Sequence, residues 1–125
     1  MEKNQAIELL KECHRILRPG GVMRVSMPDL TYLLKNYFLW RMNGVAGKEP
    51  IPDIWEPLSP CDMVNEGMRM WEHKYLWDKE ELTNILTKLR FKQIIECPWH
   101  LSVDDELKNL EVRPYFGELI VEFTK

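Results

Sequence analysis

The chain has 125 residues, of which 45% are hydrophobic and 30% charged, and its formal net charge at pH 7 is −3. This length and composition predict one globular domain, residues 1–125, and the small negative charge gives no electrostatic reason to expect nucleic acid, which favours a basic face. No apolar run approaches the roughly 20 residues that span a bilayer. Its three cysteines, Cys13, Cys61 and Cys97, form no close pair, and the first five residues are polar. We therefore expect no signal peptide, reduced thiols and a cytoplasmic location.

Residues 10–29 predict the end of a helix, a sharp turn, a strand and the start of another helix. Apolar residues recur at three- and four-residue intervals and predict one buried helix face: Ala6, Leu9, Leu10, Cys13, Ile16 and Leu17. The Arg-Pro-Gly-Gly sequence at 18–21 ends this helix, because proline cannot continue the hydrogen-bond ladder and glycine accepts a positive φ. A strand over 22–27 follows, and Asp29 is placed to cap the next helix.

The middle of the chain predicts two helices separated by a long loop. The second helix spans about residues 31–42, with a buried stripe of Leu30, Leu33, Leu34, Tyr37 and Phe38. Prolines and glycines make residues 44–60 an irregular loop, and a loop of this length is a lid, a binding loop or a disordered segment. Trp55 favours at least partial docking of this loop. A third helix over 62–73 would place Asp62, Asn65, Glu66, Arg69 and His73 on one polar face.

The last third predicts a capped helix and two strands. Asp78 and Glu81 have the spacing of a helix cap, and a fourth helix follows with Leu82, Ile85, Leu86 and Leu89 as its buried stripe. Strands are predicted over 93–97 and 118–123, joined by a long connection over 98–114 with a helical turn near 104–110. Because the first two strands are joined through helices, we expect them to be parallel and the last strand to be antiparallel. The predicted fold class is α/β with a small mixed sheet.

Tryptophan is frequent, with five residues in the chain. Trp55, Trp71, Trp77 and Trp99 fall in its middle and late parts. Core packing is the simpler explanation, and the alternative is a set of rings that line a ligand pocket.

The sequence of residues 10–29, LKECHRILRPGGVMRVSMPD, resembles the segment before and through strand five of class I S-adenosylmethionine-dependent methyltransferases. Residues 62–73, 75–78, 82–91 and 107–114 are similar to a subgroup of small predicted methyltransferases. The family's Rossmann-like sheet has the strand order 3-2-1-4-5-7-6, with strand seven antiparallel between five and six. The resemblance therefore implies that the three predicted strands are strands five, six and seven of that fold.

The resemblance covers only the second half of the family's fold. The chain contains no glycine-rich G-x-G-x-G loop, no acidic residue in the place that holds the cofactor ribose, and no fourth strand. Gly20 and Gly21 do not replace that loop, because they precede a strand whereas ligands bind beyond the carboxyl ends of strands. Arg90 stands where the family has glycine before Phe91, so we expect the fourth helix to end without a left-handed residue.

Candidate site residues come from three parts of the chain. Asp29 lies at the carboxyl end of the central strand, where it is a helix cap or a group that faces substrate. His73 is the candidate general base, with Asn65 and Arg69 as substrate contacts, although a solvated helix face explains the same pattern. In the late connection, Ser102, Glu111 and Arg113 could add polar contacts, and the alternative is a salt bridge between Glu111 and Arg113.

Other site chemistries lack sequence support. His14, His73 and His100 form no metal-ligand motif, Cys13 lies on the buried stripe, and no nucleophile motif occurs. We therefore identify no metal site and no cofactor-binding residues.

Two functions follow from the sequence. The first is the substrate-side part of a methyltransferase that acts on a small molecule and that alone binds S-adenosylmethionine weakly or not at all. The second is a non-catalytic methyltransferase-like interaction domain, whose open strand edge pairs with a second copy or with a complementing N-terminal half. No nucleic acid and no membrane are expected as partners.

Overall fold

The computed structural model describes all 125 residues as a mixed α/β fold with four helices and one three-stranded sheet. The helices are α1 (Lys3–Ile16), α2 (Leu30–Asn43), α3 (Pro60–Arg69) and α4 (Lys79–Lys88). The strands are β1 (Val22–Met27), β2 (Lys92–Glu96) and β3 (Leu119–Thr124). Short 3₁₀ turns lie at Val45–Gly47, Met70–Glu72 and Asp105–Leu107. No helix has the length and apolar character needed to cross a bilayer.

The sheet has the order β1-β3-β2, with the last strand of the chain in the centre. Both pairs are antiparallel, so β1 and β2 run in the same direction without being neighbours. The predicted directions are confirmed, with β1 and β2 parallel to each other and β3 antiparallel to both. The description as a mixed sheet is wrong, because β3 lies between β1 and β2 and every hydrogen-bonded pair is antiparallel. In β3, five of six residues are buried, whereas five of the six residues of β1 are only half-buried and Ser26 is exposed.

The hydrophobic core lies between one face of the sheet and the helices α1 and α4. Leu119, Val121 and Phe123 alternate along β3 toward this core, as the sequence predicted. They pack with side chains from both helices and from the segments next to them: Leu10, Trp77, Leu82, Ile85, Leu86 and Phe91. Burial of such side chains contributes roughly 1.5–3 kcal/mol each, which makes this layer the main source of stability.

The opposite face of the sheet is covered by the long connection between β2 and β3. Arg24 on β1 is the register partner of Glu122 on β3, and both side chains point to this face. The Arg24 guanidinium also donates to the carbonyl oxygens of Pro98 and Leu101 and to the Glu111 carboxylate. One arginine thus fixes the connection to the sheet at three places.

The helix caps follow the sequence prediction. The Asp29 carboxylate accepts a hydrogen bond of 2.9 Å from the Thr31 amide, and the Asp78 carboxylate accepts one of 2.8 Å from the Glu81 amide. Each carboxylate satisfies an amide that has no partner within its helix. The two helix starts are therefore set by local chemistry.

Two helix ends differ from the prediction. The third helix ends at Arg69, and Trp71 and Glu72 adopt left-handed φ values of 57° and 61°. The fourth helix ends through Arg90 at φ 67°, with the Arg90 amide bonded to the Thr87 carbonyl and the Phe91 amide to the Leu86 carbonyl. This is a Schellman cap with arginine in the position that favours glycine, so the expectation that Arg90 prevents it is wrong.

The predicted apolar stripes of α1 and α2 are only partly buried. On α1, Leu10 is buried, but Leu9 and Ile16 are exposed. On α2, Leu33 and Asn36 are buried, whereas Leu34 and Phe38 are exposed. α2 packs against α3 instead of against the sheet, which rotates the buried side of the helix away from the predicted stripe.

Candidate functional site

A cavity of about 750 Å³ lies beyond the carboxyl end of β1. Its floor is the end of β1 and the first two turns of α2, from Ser26 to Asn36. The loop before α3, the segment after α3 and the late connection form the walls. This volume falls within the range of small-molecule sites, which are mostly apolar with a few polar groups.

The loop over residues 44–59 is docked on α2 and forms one wall of the cavity. The buried Asn36 side chain accepts a hydrogen bond of 2.9 Å from the Glu49 amide, and the Tyr32 hydroxyl donates one of 2.8 Å to the Pro50 carbonyl. The Trp55 indole donates to the Glu66 carboxylate at 2.8 Å. The predicted docking of Trp55 is confirmed, and the loop is held at three points.

Three of the four tryptophans singled out in the sequence line the cavity: Trp55, Trp71 and Trp99. The fourth, Trp77, is buried in the core. The Trp55 and Trp71 rings meet edge to face with centroids 5.3 Å apart, and the Trp99 ring stacks on His100 with centroids 3.5 Å apart. Both explanations of the tryptophan content therefore apply, to different residues.

The segment after α3 carries backbone strain into the cavity wall. Trp71 and Glu72 are consecutive left-handed residues without being glycine, a conformation that costs roughly 1–2 kcal/mol per residue. The turn that they form directs the rings of Trp71 and His73 to the cavity, with centroids 6.1 Å apart. Residues stay in such unfavourable conformations only where the surrounding structure holds them there, and they are concentrated at functional sites.

The structure separates the predicted polar face of the third helix. His73 lines the cavity, and its Nδ1 lies 3.5 Å from the Gly67 carbonyl oxygen. Asn65 and Arg69 do not line it, because the Arg69 guanidinium donates to the Asn65 side chain at 2.7 Å on the exposed side of α3. The prediction that these residues share one face is wrong for His73, since the helix ends before it.

Asp29 lines the cavity and caps α2 at the same time. Burial raises the pKa of the Asp29 carboxyl above its ordinary value of 3.8, and the hydrogen bond from the Thr31 amide offsets only part of this rise. The carboxylates of Glu96 and Asp78 raise it further. Because its pKa is raised, the Asp29 carboxylate is a stronger base than an exposed aspartate. A nearby positive charge would stabilise its ionised form.

Glu111 and Arg113 both line the cavity, but they do not pair with each other as one reading of the sequence predicted. Glu111 bonds instead to Arg24, with 2.8 Å between Oε1 and the guanidinium, and accepts the His100 amide at 3.1 Å. Arg113 is exposed and forms no ion pair. The third polar residue of this connection, Ser102, is bonded to the Asp104 amide and does not line the cavity.

Sequence reasoning missed Arg24, Glu122 and Glu118. The Arg24 side chain is only 4% exposed and lies between the Glu111 and Glu122 carboxylates, which are 12% and 5% exposed. Burial is the largest single effect on Glu111 and opposes its ionisation, but the hydrogen bond and charge of Arg24 together with backbone hydrogen bonds, among them that from the His100 amide, outweigh it and hold the Glu111 pKa below its ordinary value. An arginine inside a short apolar strand was the available signal, because a charge there requires a partner.

Two glycines allow the cavity to form. A Cβ on Gly67 of α3 would lie 2.8 Å from Leu33 Cδ1 and 3.1 Å from the Trp55 ring. Gly117, with φ of 80°, lies against the Tyr32 ring, which fills the space that a side chain there would need. Both positions thus bring two walls of the cavity into direct contact.

No glycine-rich loop of the kind that holds S-adenosylmethionine in the family named above borders the cavity. Gly20 and Gly21 are in the turn before β1, at the opposite end of that strand from the cavity, and Gly117 is covered by Tyr32. The two glycines that line the cavity, Gly67 and Gly117, are both covered by side chains, so neither lets a backbone approach a nucleoside closely. No group of three or more metal-ligating side chains occurs, and all three cysteines are free.

Comparison of the chain with protein-family models, with curated proteins and with solved structures found no match.

Proposed function

We propose that the chain is the substrate-side part of a class I S-adenosylmethionine-dependent methyltransferase-like protein and that it is inactive alone. One observation carries the proposal: a cavity at the carboxyl end of β1, in a sheet whose last strand lies antiparallel between the other two. The strand order β1-β3-β2 is the order that the resemblance implies for family strands 5, 7 and 6. The cavity lies where open α/β sheets carry their ligands.

In such a protein this chain would bind and orient the small molecule that accepts the methyl group. The aromatic rings exclude water, and Asp29 and His73 are the groups placed to take a proton from the acceptor. If His73 donates its Nδ1 hydrogen to the Gly67 carbonyl, its Nε2 has the free lone pair that accepts a proton. The methyl donor itself would be held by another segment, because this chain offers no cradle for it.

Isothermal titration with S-adenosylmethionine tests whether the methyl donor is bound by another segment and not by this chain. We expect no measurable affinity for this chain alone, and micromolar affinity would overturn that part of the proposal. The coding DNA immediately upstream is the second test, since the proposal requires a segment with a glycine-rich loop, encoded there or elsewhere. Co-expression with that segment should yield a complex that binds S-adenosylmethionine.

His73 can be tested in the same complex. The variant His73→Gln should lose methyl transfer while its affinity for S-adenosylmethionine is unchanged. The matched control is His14→Gln, because His14 packs on the Phe91 ring in the core region, away from the cavity. Equal activity of both variants would exclude His73 as the base.

A second candidate function is a non-catalytic interaction domain. β1 is hydrogen-bonded only on the side of β3, which leaves its other edge as a template for a strand of another chain. In addition, α2, which follows β1 in the chain, exposes the apolar side chains of Leu34, Phe38 and Met42 at four-residue spacing. The partner would be a second copy of the chain or a complementing N-terminal half.

Size-exclusion chromatography with light scattering discriminates between these partners. A dimer at high concentration that Phe38→Glu dissociates would support self-pairing. The control is Leu58→Lys, which changes an equally apolar residue that is exposed in the loop and does not line the cavity. A strict monomer at all concentrations would exclude the second copy.

A further inference from the structure

The rings of the cavity come from three separate segments and face a common space. Trp55 is in the docked loop, Trp71 in the strained turn after α3 and Trp99 in the late connection, with Tyr32 and Phe116 beside them. The face of an aromatic ring is negative, and indole attracts a cation more strongly than the other rings do. Walls of this composition suit an apolar ligand or an organic cation, and they offer little to an anion.

The charges around the cavity decide between these ligands. Besides the Tyr32 phenol, six lining residues are ionisable: Arg24, Asp29, His73, Glu111, Arg113 and Glu118. Arg24 is already bonded to two carboxylates, those of Glu111 and Glu122, so this cluster offers no free positive charge. Asp29 and Glu118 form no ion pair and are half-buried, whereas the one unpaired lining arginine, Arg113, is exposed on the rim. The interior therefore has an excess of negative charge.

Two phenols near the cavity respond to the same excess. Burial raises the pKa of Tyr32, and the Glu49 carboxylate adds to the rise. Burial likewise raises the pKa of Tyr115, and the carboxylates of Glu118 and Asp29 add to it. Glu49 pairs with Lys35 at 3.4 Å, whereas the Glu118 and Asp29 carboxylates that act on Tyr115 have no cation to balance them. A positively charged ligand would supply that cation.

We propose that the cavity binds a small organic cation, an arylalkyl- or alkylammonium, with its apolar body among the tryptophan rings and its nitrogen near Asp29 and Glu118. An amine also carries the lone pair that a methyl acceptor needs once its proton is removed. The claim that this amine is the methyl acceptor rests on the proposed function. The claim that the cavity binds an organic cation does not depend on it.

The test uses three compounds of similar size and different charge on the purified chain: phenethylamine, which is protonated at pH 7, 2-phenylethanol and 3-phenylpropanoate. Binding is followed by tryptophan fluorescence and checked by isothermal titration. We expect the ammonium compound to bind about tenfold more tightly than the alcohol, and the carboxylate to bind more weakly than both. Equal affinity for the ammonium and the alcohol, tighter binding of the carboxylate, or no binding by any of the three would overturn the inference.

Variants locate the site. Asp29→Asn should remove most of the preference for the ammonium compound while keeping the cap of α2, because asparagine caps helices as well as aspartate does. The matched control is Asp104→Asn, since the Asp104 carboxylate accepts the amide two residues along in the same way, does not line the cavity and is not among the charges that act on Asp29. Glu118→Gln should act like Asp29→Asn, and Arg113→Gln should act in the opposite direction and tighten binding. Unchanged preference in all of these variants would place the compound elsewhere and refute the assignment.

Failure of this inference is distinguishable from failure of the proposed function. If the ammonium preference is found but no upstream or co-expressed segment restores binding of S-adenosylmethionine, the cation site stands and the methyltransferase proposal falls. If S-adenosylmethionine binds to the complex but the ammonium preference is absent, the acceptor class is wrong and the family proposal stands.

Discussion

Replacement of Arg24 by methionine should cause one of the largest losses of stability of any single substitution in this chain. The guanidinium lies 2.8 Å from the Glu111 carboxylate and 2.7 Å from that of Glu122, and all three side chains are nearly inaccessible to water. Methionine matches the length of the arginine stem but leaves two carboxylates buried without a cation. Loss of one partner from a buried ion pair typically costs about 3–5 kcal/mol.

This magnitude is large against the whole stability of the domain. A domain of this kind is stable by about 5–15 kcal/mol, so the variant should lose about a fifth of it or more. In urea unfolding followed by tryptophan fluorescence and circular dichroism, the midpoint should fall by about 2 M. The matched control is Arg15→Met, which breaks the exposed pair with Glu12 on α1 and should leave the midpoint nearly unchanged. Equal midpoints for the two variants would refute the role assigned to Arg24.

Acid titration supplies an independent check of the same cluster. The pKa of Glu111 is held below its ordinary value of 4.5 in the folded chain. A lowered folded pKa gives stability that is present above the unfolded pKa and is lost as the pH falls through the folded pKa. In Arg24→Met the contribution of Arg24 to this lowering is absent, and the buried Glu111 carboxylate protonates more readily. The deficit of the variant should therefore be greatest near pH 7 and shrink as the pH falls toward 4.5 and below. A deficit independent of pH would contradict the ion-pair explanation.

For two further substitutions, only the structure shows whether the free energy of unfolding should rise or fall. Gly67→Ala in mid-helix would normally stabilise by about 1 kcal/mol, but contact with Leu33 and Trp55 should cost about 1–3 kcal/mol and reverse the sign, with a change in tryptophan fluorescence. A higher melting temperature would show that the α2–α3 contact is loose. Arg90→Gly should raise the free energy of unfolding by about 0.5–1 kcal/mol, because it relieves a left-handed arginine at a cost in unfolded-state entropy. A loss of stability would show that the Arg90 side chain contributes contacts that outweigh its strain.

The parts of the fold that local chemistry determines were predictable from the sequence. The starts of α2 and α4 follow from Asp29 and Asp78, whose side chains bond to amides two and three residues along. The turn before β1 follows from Pro19, Gly20 and Gly21. In each case the deciding interaction lies within a few residues, and its pattern is therefore visible in the sequence.

The sequence-based predictions were wrong where contacts with a segment distant in sequence determine the structure. Leu34 and Phe38 fit the apolar period of α2, but that helix packs on α3, so the buried side is set by its partner. The third helix was extended to His73 because the polar spacing continues, and nothing local marks the left-handed turn at Trp71. The pairing of Arg24 with Glu122 joins residues 98 positions apart, and no periodicity in either strand specifies it.

The candidate site was predictable in part because its residues sit at the ends of elements. Asp29 follows a strand, and the rule that ligands bind beyond carboxyl ends of strands identified it. Asn65 and Arg69 were chosen from the regular face of a helix, and there they bond to each other and to their own helix. Polar groups inside regular elements have partners close by, whereas those at either end of an element can face a cavity. Glu118, directly before β3, has that placement as well, and a reading weighted toward element ends would have included it.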